Sequence, residues 1–348
     1  MDFRDKLRIG FKYILISPSR TMNLLLMYIS RYLRLTRVLG KPITAMIEPI
    51  NYCNLKCPLC PTGQGLIERP KEAMKFEDFK RILDNIGGSV IHLRLWNWGE
   101  PLMDKDLPKM IRYAKSKRMF VNTSTNSFFL EEGIMKDLIN SGLDQLIVSL
   151  DGASKETYNK YRKNGDFDKV VRVLKMAAQM KNDMGTRYPE IKLQFIVMKH
   201  NEHEIKKMIE LAKELKVDTL FFKTVGVMDP RLKKQIKKYM PSNPKFRRYV
   251  DMGDDLKPVP LAGRVCNYLW EEITVNVDGS VVPCCRDAQG KYVFGNLKNQ
   301  KIGEIWNSKK MVAFRNDVLR NKDKIDICRL CSGSNKEFHI AEIKIGCD

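Results

Sequence analysis

Histidine is scarce in this chain of 348 residues, which contains only four. They stand at positions 92, 200, 203 and 339 and do not show the spacing of a histidine metal site. The sequence therefore gives no indication of a metal centre built from histidines. We expect all four histidines to pack in the interior or to lie at the surface.

No apolar run reaches the roughly 20 residues that a helix needs to cross a bilayer. A standard secretory signal is also missing, because Asp2 and Asp5 interrupt the start of the chain and no small-residue cleavage site follows. The sequence therefore predicts a cytoplasmic protein in a reducing compartment. In that setting the nine cysteines indicate metal binding or catalysis and not disulfides.

Acidic residues are in the minority: 41 of them stand against 62 lysines and arginines, which gives a net charge of +21. Such a balance suits nucleic acid, anionic lipid or an acidic substrate, or it reflects a lysine-rich proteome. The lysines are spread along the chain, and their densest stretch, residues 199–249, has no RNA-binding motif. We therefore do not expect nucleic acid as a partner.

Length and composition allow one large domain and one small one, since 43% of the residues are hydrophobic. From about residue 45, short apolar strands alternate with amphipathic helices. The predicted strands are Ala45–Ile50, Ile91–Trp96, Met119–Ser124, Gln145–Leu150, Ile191–Val197 and Thr219–Lys223. The predicted helices are Phe76–Ile86, Leu107–Lys117, Glu131–Ser141, Phe167–Met184 and Glu202–Leu215. Six such units predict an α/β fold with a helix-covered parallel sheet, too small for a closed eight-stranded barrel.

Three cysteines form a C-x3-C-x2-C pattern directly after the first predicted strand: Cys53, Cys57 and Cys60. Three thiolates so close together suit a metal. An iron–sulfur cubane held by three cysteines keeps one iron open for a ligand from outside the protein. A zinc ion with a distant fourth ligand is the alternative.

This stretch resembles the hallmark of the radical S-adenosylmethionine (radical SAM) superfamily. The resemblance implies an enzyme with a partial (β/α)6 TIM-like barrel, a 4Fe–4S cluster and S-adenosyl-L-methionine (SAM). In that family the open iron chelates SAM, and an electron from a reductant such as ferredoxin or flavodoxin breaks a sulfonium bond. The resulting 5'-deoxyadenosyl radical abstracts a hydrogen atom from the substrate.

Further segments are similar to the SAM-binding motifs of the same family. They are Trp98-Gly-Glu-Pro101, Thr125-Asn-Ser127 and Ser149-Leu-Asp-Gly152, together with an arginine that pairs with the SAM carboxylate in related enzymes. The residues implied as SAM contacts are Gly99, Glu100, Asn126, Ser149 and Arg162. The three segments and the cysteine triplet all lie at or directly after the carboxyl ends of predicted strands, at the rim where βα barrels carry their active sites.

Four later cysteines read C-x17-C-x43-C-x2-C: Cys266, Cys284, Cys328 and Cys331. Asp278-Gly279 separates two apolar stretches and places Cys284 on a predicted β-hairpin. The segment resembles the SPASM extension and its single-cluster relative, Twitch, which implies one auxiliary 4Fe–4S cluster that transfers electrons. Four cysteines also suit zinc. Cys285 and Cys347 are left over; Cys285 is open to a role as alternative ligand or hydrogen donor, with no role as the default.

The predicted organisation is a basic amphipathic segment at 1–44, the radical SAM partial barrel at 45–225, a connector at 226–265 and a small α+β auxiliary-cluster domain at 266–348. In the first segment Arg31, Arg34 and Arg37 recur beyond the apolar run Leu24–Ile29 and predict an amphipathic helix with a cationic face. That helix either lies on an anionic membrane surface or packs across the outside of the barrel.

The sequence thus predicts a radical SAM enzyme whose substrate it does not identify. Peptide, sugar or aminocyclitol, and lipid-linked substrates stay open, as do a membrane-surface enzyme of glycan or lipid biosynthesis and an RNA-modifying enzyme. The net outcome is open between oxidation and epimerisation, and no catalytic residue of the protein itself is assigned. A non-catalytic iron–sulfur protein is disfavoured, because a pure electron carrier needs no SAM site.

Overall fold

The structure is a computed structural model that describes residues 13, 17–253, 255–259, 266–333 and 339–345. Most of the strands belong to one ten-stranded sheet, and a two-stranded sheet lies apart from it. The large sheet contains β1 (Thr44–Ile47), β2 (His92–Arg94), β3 (Phe120–Thr125), β4 (Gln145–Ser149), β5 (Glu190–Val197), β6 (Thr219–Thr224), β9 (Glu272–Val275), β10 (Ser280–Val282), β11 (Gly295–Asn296) and β12 (His339–Lys344). The small sheet pairs β7 (Tyr249–Asp251) with β8 (Leu256–Pro258).

Helices cover the sheet and connect its parallel strands. They are α1 (Pro18–Tyr32), α2 (Phe76–Ile86), α3 (Leu107–Ser116), α4 (Glu132–Asn140), α5 (Lys155–Tyr161), α6 (Phe167–Asp183), α7 (Ile205–Glu214), α8 (Lys233–Tyr239), α9 (Tyr268–Glu271), α10 (Ile302–Trp306), α11 (Lys309–Asn321) and α12 (Asp326–Arg329). No helix in the described part of the chain has both the length and the apolar character needed to cross a membrane.

Local sequence patterns explain why these elements form. In α2 the apolar residues Phe79, Ile82, Leu83 and Ile86 follow helical spacing, and all four are buried against the sheet. Every residue of β4 is buried, as expected for a parallel barrel strand whose outer face packs against helices and whose inner face packs in the barrel interior. All six strands and five helices predicted for the barrel are present, with ends that differ from the prediction by at most three residues.

The sheet has the order β11-β10-β9-β1-β2-β3-β4-β5-β6-β12. From β1 to β6 each strand pairs in parallel with the next one along the chain. This confirms the predicted α/β fold with a partial (β/α)6 barrel. The carboxyl ends of all six strands therefore lie along one rim.

The C-terminal part of the chain extends the same sheet at both edges. The predicted hairpin is present: β9 and β10 pair antiparallel around Gly279, whose φ of +85° suits a glycine in a tight turn. However, β9 also pairs in parallel with β1, and β12 pairs antiparallel with β6. The sequence pattern predicted the hairpin but not its attachment to the barrel, because strand pairing between distant segments leaves no local signal.

The N-terminal helix is shorter than predicted. It ends at Tyr32, and the two later arginines of the predicted cationic face lie beyond it, Arg34 with a positive φ of 54°. Arg31 forms an ion pair of 2.9 Å with Glu271, and the Arg34 guanidinium lies 5.5 Å from the centre of the Trp270 ring. These two arginines therefore attach the N-terminal segment to the region around α9.

Candidate active site

A cavity of about 240 Å³ lies at the carboxyl ends of the parallel strands. Each of β1–β6 contributes to its wall, from the end of the strand or from the loop that follows. All eight residues predicted for the SAM-binding cluster and SAM line it: Cys53, Cys57, Cys60, Gly99, Glu100, Asn126, Ser149 and Arg162. The fold brings them together because parallel strands present their carboxyl ends on one rim.

The three cysteines of the triplet sit in the loop after β1. Cys57 is buried, Cys53 and Cys60 are half-buried, and all three are free thiols. Burial raises the pKa of Cys53 to about 12 and that of Cys57 to about 11. Such thiols keep their protons unless a metal replaces them. This donor set therefore fits an iron–sulfur cluster held by three cysteines.

Glu100, in the loop after β2, forms hydrogen bonds within its own loop and with the end of β3. Its buried carboxylate accepts hydrogen bonds from the Leu102 amide at 3.1 Å, the Asn126 amide at 2.8 Å and the Thr125 hydroxyl at 2.5 Å. Burial raises the pKa of Glu100 although these bonds act to lower it. A carboxylate has about four acceptor positions, so Glu100 retains one for a donor in the cavity.

Gly99 is required by the protein's own backbone as well as by any ligand. A Cβ atom at this position would lie only 2.1 Å from the carbonyl oxygen of Ile50. The next residue confirms the close approach, because the Glu100 amide donates a 3.0 Å hydrogen bond to the carbonyl of Tyr52. The glycine thus allows the loop after β2 to lie against the loop that carries the cysteine triplet.

Arg162 follows α5 and points back into the cavity. Its Nε and Nη2 atoms both lie 2.6 Å from Oδ2 of Asp151, which is fully buried. Its Nη1 atom lies 3.9 Å from Sγ of Cys57. The guanidinium therefore stands between a buried carboxylate and a predicted cluster ligand, where one cation offsets two negative groups.

Asn126 and Ser149 are both held by neighbouring amides. The Asn126 Nδ2 atom donates to Asn54 Oδ1 at 2.9 Å and lies 3.6 Å from Cys53 Sγ. The Ser149 hydroxyl accepts a hydrogen bond of 3.3 Å from Gln194 Nε2. These contacts orient both polar groups before any ligand binds, which lowers the entropic cost of binding.

Two cations in the cavity wall are absent from the sequence prediction. Lys223 stands at the end of β6, and Arg248 comes from the connector and is buried. A lysine directly after the apolar run Leu220–Phe222 is a signal that sequence reasoning missed. No local pattern marks Arg248, because the connector has no periodicity from which its direction could be read.

The four predicted auxiliary ligands are Cys266, Cys284, Cys328 and Cys331. Cys266 and Cys331 lie within electrostatic reach of each other, and both lie within reach of Cys284 and of Cys328. Burial raises the pKa of Cys266 to about 11 and that of Cys328 to about 12. Burial alone would also raise the pKa of Cys331, but Arg286 and Lys322 bring it below its ordinary value. Cations beside a set of thiols suit a four-thiolate cluster, whose net charge is negative.

Cys285 lies among the same thiols, whereas Cys347 falls outside the described residues. Across the described ranges, no three histidine, cysteine or acidic side chains are grouped closely enough to hold a metal ion. In a cubane each cysteine binds a different iron, so its thiols do not have to meet at one point.

Family models match two parts of the chain. That of the radical SAM superfamily matches residues 47–212, and that of the SPASM iron–sulfur cluster-binding domain matches residues 266–332. The chain belongs to the radical SAM superfamily. Its cofactors are accordingly SAM, a SAM-binding 4Fe–4S cluster and an auxiliary 4Fe–4S cluster in the SPASM domain.

Curated relatives of this radical SAM protein include two from Methanosarcina barkeri. The Fe-coproporphyrin III synthase is 33% identical over 171 residues, 49% of this chain and 41% of the relative. The AdoMet-dependent heme synthase is 23% identical over 321 residues, 83% of this chain and 90% of the relative. The PqqA peptide cyclase of Granulibacter bethesdensis is 28% identical over 174 residues, 50% of this chain and 45% of the relative. The match therefore spans less than half the length of the Fe-coproporphyrin III synthase and of the peptide cyclase.

Solved radical SAM structures share the fold. SuiB of Streptococcus suis, bound to the precursor peptide SuiA, matches with a TM-score of 0.62 and 15% identity over 86% of this chain and 72% of that chain. BtrN in complex with AdoMet and 2-DOIA matches with a TM-score of 0.57 and 17% identity over 87% of this chain and 98% of that chain. At these identities the likeness establishes the architecture alone.

Proposed function

We propose that this protein is an enzyme that cleaves SAM reductively and abstracts a hydrogen atom from its substrate, with the auxiliary cluster transferring electrons. One observation carries the proposal: the cysteine triplet and the five predicted SAM contacts line a single cavity. When bound, the cluster and SAM supply a 5'-deoxyadenosyl radical, formed with one electron from a reductant such as ferredoxin or flavodoxin and with methionine as the leaving group.

The residues of the chain itself bind and orient these groups. The proposed ligands are Cys53, Cys57 and Cys60 for the SAM-binding cluster, and Cys266, Cys284, Cys328 and Cys331 for the auxiliary cluster. Glu100 offers its remaining acceptor position to the SAM ammonium, and the backbone at Gly99 lies beside it. Asn126 and Ser149 offer amide and hydroxyl groups, and Arg162 offers a cation to the SAM carboxylate.

The names of relatives and neighbours point to different substrates. They include a heme synthase, an enzyme bound to a precursor peptide and one bound to 2-DOIA. Peptide and sugar or aminocyclitol substrates are candidates for this chain, and the lipid-linked substrates that the sequence left open stay candidates as well. The positive charges of Lys223 and Arg248 in the cavity wall narrow the choice of substrate class, because they favour a substrate with an anionic group.

The proposal is tested by anaerobic reconstitution, with iron and sulfide counted beside a variant in which all three triplet cysteines are changed to alanine. We expect about eight irons in the wild type and about four in the variant, because each cubane holds four. The wild type should form 5'-deoxyadenosine from SAM and dithionite, and the variant should form none. A wild type that binds both clusters but cleaves no SAM would contradict the proposed enzyme function.

A second proposal concerns the protein's surface. The exposed side of α1 carries a stripe of large apolar side chains: Met22, Leu25, Tyr28, Ile29 and Tyr32. On the other side of the same helix Met27 and Ser30 are buried. Such a stripe on a chain of net charge +21 suits the interface of an anionic membrane. We propose that α1 makes a peripheral contact with such a surface on the cytoplasmic side.

Vesicle co-sedimentation tests this contact. We expect binding to phosphatidylglycerol vesicles that weakens in salt, and little binding to phosphatidylcholine. A variant with Met22, Leu25 and Tyr32 changed to glutamine should lose most of the binding. Leu319→Gln, at an exposed leucine on α11, serves as the control and should bind like the wild type. If the triple variant binds the vesicles as strongly as Leu319→Gln does, the proposed membrane contact of α1 is wrong.

A further inference from the structure

We propose that Lys223 and Arg248 bind an anionic group of the substrate, a carboxylate or a phosphate, in the cavity beside SAM. This inference rests on the proposed function, because it takes the part of the cavity wall that carries the cysteine triplet, Glu100 and Arg162 as the SAM site. It deepens that function by restricting the substrate to molecules that carry such a group.

The position of Lys223 links it to the predicted SAM contacts. Its Nζ atom donates a hydrogen bond of 3.2 Å to Gln194 Oε1, and Gln194 Nε2 donates one of 3.3 Å to the Ser149 hydroxyl. These side chains belong to three neighbouring strands, β4, β5 and β6. The ammonium group therefore stands two hydrogen bonds from the residue that we propose to contact SAM.

The glycine at position 226 makes room for the side chain of Arg248. Gly226 lines the same cavity, and a Cβ atom there would lie 2.1 Å from Nη1 of Arg248. The guanidinium therefore occupies the space over this glycine, although Arg248 is only 2% exposed. A planar guanidinium held in this way presents paired donors that match a carboxylate or a phosphate.

The electrostatics of this wall favour an anion. Burial and the neighbouring Arg248 lower the pKa of Lys223 to about 8, and burial lowers the pKa of Arg248 to about 10. On the SAM side, Glu100 already accepts three protein hydrogen bonds, and the buried Asp151 is paired with Arg162. An anion bound by the two cations would relieve their mutual repulsion.

Three further polar groups in the cavity wall lack hydrogen-bond partners among the described residues. They are Asn97 Nδ2, Trp98 Nε1 and Thr224 Oγ1, and each of these atoms is buried. Buried donors without partners cost free energy unless a ligand or water satisfies them. All three can donate hydrogen bonds, so together with the two cations they suit a ligand rich in acceptor oxygens.

Arg248 also lies within electrostatic reach of Cys331, one of the proposed auxiliary ligands. Its charge could therefore serve the auxiliary cluster and not a substrate. It could also reach the SAM carboxylate. The experiment must separate both roles from anion binding.

Isothermal titration of the reconstituted, SAM-saturated protein at low ionic strength makes this separation. The probes are succinate, inorganic phosphate and the neutral analogue succinamide. We expect millimolar binding of at least one anion and none of succinamide. Lys223→Gln and Arg248→Gln should each weaken anion binding about tenfold, the usual effect of losing one charge-assisted hydrogen bond. Gly226→Ala, which displaces the guanidinium but keeps its charge, should also weaken it, and Lys234→Gln, at an exposed lysine, should not.

Binding of succinate would indicate that the site takes a carboxylate, and binding of inorganic phosphate would indicate that it takes a phosphate. Absence of anion binding by the wild type, or equal binding by all variants, would overturn the inference. Weaker SAM affinity or altered iron content in the Lys223 and Arg248 variants, with anion binding intact, would assign these cations to the cofactors and also overturn it. Failure of the wild type to form 5'-deoxyadenosine would instead count against the proposed function.

Discussion

Arg162 pairs with a buried carboxylate, so its removal tests how much a buried ion pair in the cavity wall contributes to stability. It neutralises Asp151, which is fully buried, and lies 3.9 Å from Cys57. Breaking such a pair leaves an uncompensated charge in the interior. Arg162→Met should therefore lower the free energy of unfolding by about 3–5 kcal/mol in urea titrations.

A second substitution and a surface pair test the cause. Adding Asp151→Asn to Arg162→Met should recover part of the lost stability, because the buried charge is then removed. Lys155→Gln breaks the exposed pair with Asp168 and should lower the free energy of unfolding far less than Arg162→Met does, because solvent screens the pair. Equal losses for Lys155→Gln and Arg162→Met would show that burial of the pair does not matter.

The lowered pKa of His92 predicts that the free energy of unfolding depends on pH. Burial lowers its pKa to about 3, and the ring lies 3.0 Å from Asn122 Oδ1 as a neutral hydrogen-bond partner. Its unfolded pKa is about 6.5, so its contribution is complete above pH 6.5 and is lost as the pH falls towards 3. Lowering the pH from 7 to 5 should therefore reduce the contribution of His92 to the free energy of unfolding by about 2 kcal/mol. His92→Gln, compared with the wild type in urea titrations, should lack this loss; parallel pH profiles would contradict the assignment.

At the scale of elements, the edge strand β12 protects the barrel. It pairs with β6 over its length, and Lys192 forms a 2.7 Å ion pair with Glu342. The partly buried side chains of Ile340, Ile343 and Ile345 pack against the core. Ending the chain after residue 338 should therefore cost about 3 kcal/mol and increase aggregation, since an unpaired edge binds other strands.

Light scattering and thermal unfolding measure this effect. A chain that ends after residue 345 keeps β12 and serves as the control, with the stability of the wild type expected. Truncation after residue 338 with neither aggregation nor a lower unfolding temperature would mean that β12 does not stabilise the edge.

At the scale of the whole molecule, Arg315 joins distant parts of the chain. It is fully buried, and its guanidinium donates hydrogen bonds to the carbonyls of Leu269 at 2.9 Å and Thr36 at 3.1 Å. It also lies 4.6 Å from the centre of the Trp306 ring. These contacts hold the N-terminal segment, α9 and α11 together.

Arg315→Met should therefore destabilise the protein by about 2–4 kcal/mol, because two buried carbonyl groups lose their donors. Arg320→Met, at an exposed arginine on the same helix, is the matched control and should change stability by less than about 0.5 kcal/mol. Urea titrations followed by tryptophan fluorescence compare the two. A similar small effect for both would show that Arg315 does not join these segments.

The sequence by itself determined the family and most of the barrel. Cys53, Cys57 and Cys60 were recognisable because cluster ligands in one loop keep a fixed spacing, and the β/α units were recognisable because burial follows the period of each element. The order of the strands then placed Glu100, Asn126 and Ser149 on the same rim without further information.

Only the tertiary structure decided which distant groups meet. It joined β9 to β1, paired Arg162 with Asp151, and brought Arg248 from the connector to the cavity beside Lys223. These outcomes depend on contacts between segments far apart in the chain, and on burial that alters the cost of charge. Neither leaves a periodic signal in the sequence, so the wall that carries Lys223 and Arg248, which we propose to face the substrate, became visible only in the folded protein.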